Sequence, residues 1–189
     1  MILYLHGFRS SPASMKARLM SEHMRQAGRL SEFLCPQLPA SPTRAVQLAE
    51  HLCATSDPAR LTIIGSSLGG FYATFLAEQL GCRAILLNPA VTPPPDLASY
   101  VGVSTLYHSD DVFEFKEEYV HELPLYTISR TTRPERYFLI AATGDEVLDW
   151  RAMVGHYPHS KQLVIQGSNH AIPEFGDYID QVMAFCDAS

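Results

Sequence analysis

Residues 61 to 81 read LTIIGSSLGGFYATFLAEQLG, an apolar run that enters a stretch of helical composition through three glycines in six residues. An ordinary turn needs one glycine, so this density points to one of two devices. The backbone is either bent hard to lift out a side chain or opened to cradle a phosphate. A phosphate loop needs G-x-x-x-x-G-K-[ST], and a dinucleotide fingerprint needs G-x-G-x-x-G. Neither is present, and no lysine follows Gly70. The residues instead spell G-x-S-x-G, with Ser67 between Gly65 and Gly69. In that pattern the serine sits on a sharp, strained strand-to-helix turn, and its flanking glycines let strand and helix approach. A helix opening at Leu68 would aim its free N–H groups and positive end at the serine. Alone, the pattern also fits a serine-capped helix start with a packing glycine, so the rest of the chain has to decide.

Strand candidates are residues 2–6, 33–36, 61–65, 83–88, 136–142 and 162–166. Most are continuous apolar runs rather than alternating ones, as expected of strands buried on both faces of a parallel sheet. Helix signals lie between them. Ser11 before Pro12 reads as N-cap and first helical residue, with a stop at Gly28, and Ser41 before Pro42 repeats the start for residues 42–55. A helix from Leu68 stops at Gly81, and a last one covers residues 174–187. This alternation predicts an open α/β sheet in one domain, residues 1–189. Residues 89–135 break the rhythm with a proline run, the acidic stretch HSDDVFEFKEE and the cluster SRTTRPER. So long a segment without a strand candidate reads as a partly helical insertion over one end of the sheet, a lid that shapes a pocket.

Composition narrows the function classes. A net charge of −6 without any basic run argues against a nucleic-acid groove. No apolar stretch approaches the roughly 18 residues of a membrane span. The opening MILYLHGF is a strand-like run without a basic leader or cleavage site, which predicts a cytoplasmic protein. Cys35, Cys53, Cys82 and Cys186 contain no C-x-x-C pair and read as buried apolar residues.

In open α/β sheets chemistry gathers at the carboxyl ends of the strands. A serine nucleophile needs a base, an acid to orient that base, and oxyanion donors. On an α/β-hydrolase sheet the chain order is Ser, then Asp or Glu, then His. After the strand 136–142 comes TGDEVLDW with Asp145, and after 162–166 comes QGSNHAIPEF with His170. After the first strand comes HGFRSS, where a glycine-opened turn would be able to aim the Phe8 N–H at the same point. These features agree at successive strand ends.

On these residues, with LLNPAV besides, the whole chain closely resembles the small bacterial YqiA-like esterases of the α/β-hydrolase superfamily. The resemblance implies Ser67 as nucleophile, Asp145 as acid, His170 as base, and backbone oxyanion donors at Phe8 and Leu68. It also implies a six-stranded, all-parallel minimal core without antiparallel leading strands. The expected activity is hydrolysis of a small acyl ester, oxygen ester or thioester, without metal or organic cofactor. A peptidase or lactonase on the same fold, and a binding protein of hydrolase shape, are the alternatives; the intact Ser, Asp and His speak against the last.

Other candidates carry less. His156 and His159 flank Pro158 without a third ligand and read as loop histidines rather than a metal site. His6 reads as a brace for the oxyanion turn. Asp110, Asp111, Glu117 and Glu118 read as a solvated face. Arg9 follows the oxyanion turn and is a candidate contact for an anionic substrate group, with Arg130, Arg133 and Arg136 as weaker ones.

Overall fold

Alternate residues of each central strand face opposite layers, and both layers are apolar. In the computed structural model Ile2 and Tyr4 pack with Ile64, Ile85 and Ile140 on one side of the sheet. Leu3 and Leu5 pack with Ile63, Leu86 and Leu139 on the other. The structure describes residues 1–107 and 109–188. His108 in the insertion and Ser189 at the end of the expected domain lie outside them.

The elements run β1 (Ile2–Leu5), α1 (Met15–Gln26), β2 (Phe33–Leu34), α2 (Pro42–Cys53), β3 (Thr62–Ser66), α3 (Leu68–Leu80) and β4 (Arg83–Leu87). They continue β5 (Gly102–Thr105), β6 (Val112–Phe115), α4 (Glu117–Glu122), β7 (Tyr137–Ala142), α5 (Trp150–His156), β8 (Lys161–Ile165) and α6 (Ile179–Cys186). Six strands form one sheet in the order β2-β1-β3-β4-β7-β8, every neighbouring pair parallel. Residues of α1 and α6 cover one face, and those of α2, α3 and α5 the other. The chain leaves β1 toward the β2 edge and β3 toward the β4 side, so the order reverses between β1 and β3. Their carboxyl ends flank the crevice where open α/β sheets place ligands. Among the described residues no helix is long and apolar enough to cross a membrane.

Three expectations shift. First, α1 opens at Met15 with Ser14 as N-cap, not at Pro12. Ser11 spends its oxygens on a tight turn, its hydroxyl accepting from Ala13 N at 3.2 Å and its carbonyl from Ser14 N at 3.0 Å. Second, the last helical segment divides into a 3₁₀ turn over Phe175–Tyr178 and α6. Third, the insertion contains strands: β5 and β6 pair antiparallel, Gly102 opposite Phe115 and Thr105 opposite Val112. Phe113 and Phe115 face inward and are buried, while Val103 and Val112 face out.

The tightest packing lies where α3 meets β1. A Cβ on Gly69 would overlap the Leu5 carbonyl and stand 2.7 Å from His6 O; one on Gly65 would stand 2.6 Å from the Gly69 carbonyl carbon. Both neighbours are backbone of central elements and cannot yield. Gly69→Ala should therefore destabilise the protein by at least about 3 kcal/mol or prevent folding. Gly155→Ala meets no atom within 4 Å in α5 and should stabilise by about 0.5 kcal/mol through helix propensity. Urea unfolding of the two variants checks this, and equal stability would contradict the packing account.

Candidate active site

Ser67 sits between β3 and α3 at φ 54°, ψ −122°, a conformation L-residues rarely adopt and one that costs about 1–3 kcal/mol. Neighbouring backbone holds it there. Ser67 N donates to Leu87 O at 3.0 Å, while Ser67 O accepts from Gly70 N at 2.9 Å and Ala90 N at 3.1 Å. The side chain cannot turn back to cap α3 and makes no capping bond. Asp149, by contrast, caps α5 through Arg151 N.

Beside this elbow runs the turn after β1. A Cβ on Gly7 would lie 3.2 Å from Ser67 Cβ, so glycine lets the turn lie against the serine. His6 is buried and braces the turn as expected: Leu38 N donates to its Nε2 at 3.0 Å, and its Nδ1 lies 2.9 Å from Gly7 O. Because Nε2 accepts, Nδ1 carries the proton and donates. Burial lowers the His6 pKa, which keeps the ring neutral. Among the described residues neither Phe8 N nor Leu68 N has a protein acceptor, and Leu68 opens α3.

Asp145 and His170 arrive from the loops after β7 and β8. Asp145 Oδ2 lies 2.7 Å from His170 Nδ1, with the carboxylate fully buried and the imidazole one-fifth exposed. The other carboxylate oxygen accepts from Val147 N and Leu148 N, each at 2.8 Å. Three hydrogen bonds thus fix the carboxylate, and Nδ1–H donation leaves His170 Nε2 as the free ring acceptor. Among the described residues no hydrogen bond joins Ser67 Oγ to the imidazole. Both instead line one cavity of about 430 Å³, together with Phe8, Leu97, Tyr100 and Leu148. Nucleophile–base bonds often tighten only around a substrate.

Several functional neighbours escape the sequence reading. Asn88, buried at the end of β4, accepts from Ala142 N at 2.8 Å and donates to Asn169 O and His170 O at 3.1 and 3.2 Å. One side chain thus ties the strand before Asp145 to the loop bearing His170. Glu146 accepts from His170 N at 3.0 Å. Lys16 Nζ donates to Ala171 O at 2.6 Å, and burial pushes its pKa down to about 8 against the opposing pull of Asp145. The only sequence signal for any of these is the strand-end position of Asn88.

Arg9 is the candidate the structure places elsewhere. It does not border the cavity that Phe8 and Ser10 line; its Nε and Nη2 donate to Thr105 O. Arg130, Arg133 and Arg136 do not line the cavity either. His156 packs edge-on against the Tyr157 ring, and among the described residues no three His, Cys, Asp or Glu side chains could together hold a metal ion.

The Asn88 bracket yields a signed pH prediction. Asn88→Ala strands the buried Ala142 N–H and removes the donors to two half-buried carbonyls, and should cost about 2 kcal/mol. Asn88→Asp sets a carboxyl against two carbonyl oxygens, so the folded protein must keep it protonated, raising its pKa above the unfolded value of about 3.9. That contribution is present at low pH and lost as pH rises through the folded pKa. The melting-temperature deficit of Asn88→Asp against wild type should widen from about pH 5 to about pH 8. A constant deficit would contradict the bracket.

Known proteins resemble this chain in sequence or in fold. UPF0227 protein YE1706 from Yersinia enterocolitica serotype O:8 / biotype 1B is 22% identical over 189 residues, covering 98% of each chain. A structure from Agrobacterium vitis S4 assigned as a hydrolase matches with a TM-score of 0.74 at 16% identity, over 98% of this chain and 87% of that one. Est1E from Butyrivibrio proteoclasticus, solved with ferulic acid bound, matches at 0.65 and 13% identity, over 96% of this chain and 85% of that one. The six-stranded parallel sheet with its flanking helices is the minimal α/β-hydrolase fold. The model of the uncharacterised protein family UPF0227 matches residues 1–187, so this chain belongs to that family.

Proposed function

We propose that the protein is a serine hydrolase that cleaves carboxylic esters, thioesters included, through an acyl-enzyme on Ser67. The observation that carries the reading is the 2.7 Å contact of buried Asp145 with His170, on a ring that shares a cavity with a serine held in a strained elbow. A merely structural serine has no need of that backbone cost, nor a surface histidine of a fully buried carboxylate partner.

In this reading His170 Nε2 takes the Ser67 proton as Oγ attacks the acyl carbonyl. The Phe8 and Leu68 N–H groups receive the oxyanion, a stabilisation of about 3–4 kcal/mol per donor in a serine protease. His170 then protonates the leaving alcohol or thiol, and a water activated by the same ring releases the acid. Asp145 holds the ring in the Nδ1–H tautomer throughout. The apolar wall of Leu97, Tyr100, Val147 and Leu148 suits an acyl chain rather than a polar leaving group. The insertion of residues 89–135 supplies Leu97 and Tyr100 and is the cap of that pocket.

Ser67→Ala should abolish turnover of p-nitrophenyl butyrate, a loss on the order of 10⁶, with circular dichroism unchanged. Asp145→Asn should lose roughly 10⁴ through the wrong imidazole tautomer. Asp149→Asn should be nearly silent, because asparagine caps a helix about as well as aspartate. A folded Asp145→Asn enzyme with near-normal turnover would refute the assignment.

A further inference from the structure

We propose that Arg9 is a positioning residue for the oxyanion hole, and that the β5–β6 hairpin is the fixed strut through which it acts. The inference rests on the serine-hydrolase reading above and adds what aims the Phe8 N–H. Arg9 follows Phe8 and has φ 54° without being glycine, a conformation that persists only where its surroundings hold it. Three contacts hold it, all from the hairpin and its turn. Its Nε and Nη2 donate together to Thr105 O at 2.9 and 2.8 Å. Its carbonyl accepts from Tyr107 N at 2.8 Å. Its guanidinium lies 4.8 Å from the centre of the Tyr107 ring.

The preceding residue is gripped by the same hairpin. Phe8 meets Phe113 and Phe115 edge-on at 5.2 and 5.0 Å, and Tyr100 at 5.5 Å. On the opposite side His6 and Ser10 N both bond Gly7 O. The Phe8 peptide is therefore clamped between the sheet and the hairpin, and its N–H is free to face Ser67. Two of the five guanidinium donors are fixed on one carbonyl and one face lies on an aromatic ring, which holds the group off the cavity lining. A lid that swings away would have to break all of these contacts and would leave the Phe8 peptide without its clamp.

The test compares Arg9→Lys and Arg9→Ala with wild type and Ser67→Ala on p-nitrophenyl acetate, with inhibition by a small alkyl boronic acid measured alongside. The boronate forms a tetrahedral adduct whose oxygen reads the hole directly. Lysine keeps the charge but not the fork, so both Arg9 variants should lose about tenfold to a hundredfold in kcat, with KM within about threefold. Boronate affinity should weaken by the same factor as kcat. Unchanged kcat would overturn the proposal, and so would a fall in kcat with boronate affinity intact. A rise in KM confined to anionic esters would make Arg9 a substrate contact instead. Should Arg9→Ala not fold, Arg9→Lys carries the same expectations. Turnover surviving in Ser67→Ala would overturn the hydrolase reading and the oxyanion hole with it; a dead Ser67→Ala beside a fully active Arg9→Lys would overturn the positioning role alone.

Discussion

The backbone of α3 touches the backbone of β1 with no side chain between them, and the site depends on that approach. Only glycine at position 69 permits it, because a Cβ there would overlap the carbonyls of Leu5 and His6. The contact sets the start of α3 against the carboxyl end of β1. Two consequences follow from one geometry. Ser67 is forced into its strained turn and cannot cap its own helix. Phe8 N and Leu68 N, without a protein acceptor among the described residues, lie in the turn after β1 and at the start of α3. Strain of a few kcal/mol at one residue is tolerable because the surrounding strands bury apolar surface on both faces.

The other half of the site is held differently, by hydrogen bonds between loops. The Asp145 carboxylate takes two backbone N–H groups besides the imidazole, and the His170 loop is tied by Asn88, Glu146 and Lys16 from three elements. Asn88 matters most, because its amide is buried and fully used, so any change leaves unpaired backbone behind. Asp145 and His170 are thus held in one fixed orientation, and Ser67 lines the same cavity as the imidazole.

Much of this was legible in the sequence, for a physical reason. Parallel strands buried on both faces must be continuous apolar runs, which made the four central strands legible, and the shorter or less buried edge strands β2 and β8 could still be read within a residue or two. The strained turn at Ser67 and the meeting of Asp145 with His170 could be anticipated because these residues lie at or just beyond the ends of such runs. What escaped depends on contacts distant in the chain. Ser11-Pro12 and Ser41-Pro42 look alike, yet Ser41 receives Arg44 N and caps a helix while Ser11 receives Ala13 N and makes a turn. The hairpin strands are four residues long, β5 mostly and β6 half exposed, and the acidic residues around VFEF hide its two inward phenylalanines. Asn88 and Arg9 take their roles from partners 54 and 96 positions away, which no local pattern records.

The central claim is that this fold exists to expose one activated serine. Incubation of the native protein with a fluorophosphonate, followed by intact-mass measurement and tandem mass spectrometry of the tryptic digest, tests it most directly. The account predicts one adduct per chain, localised to Ser67, and none on the adjacent Ser66. A native protein that stays unlabelled, or a label on any other residue, would contradict it.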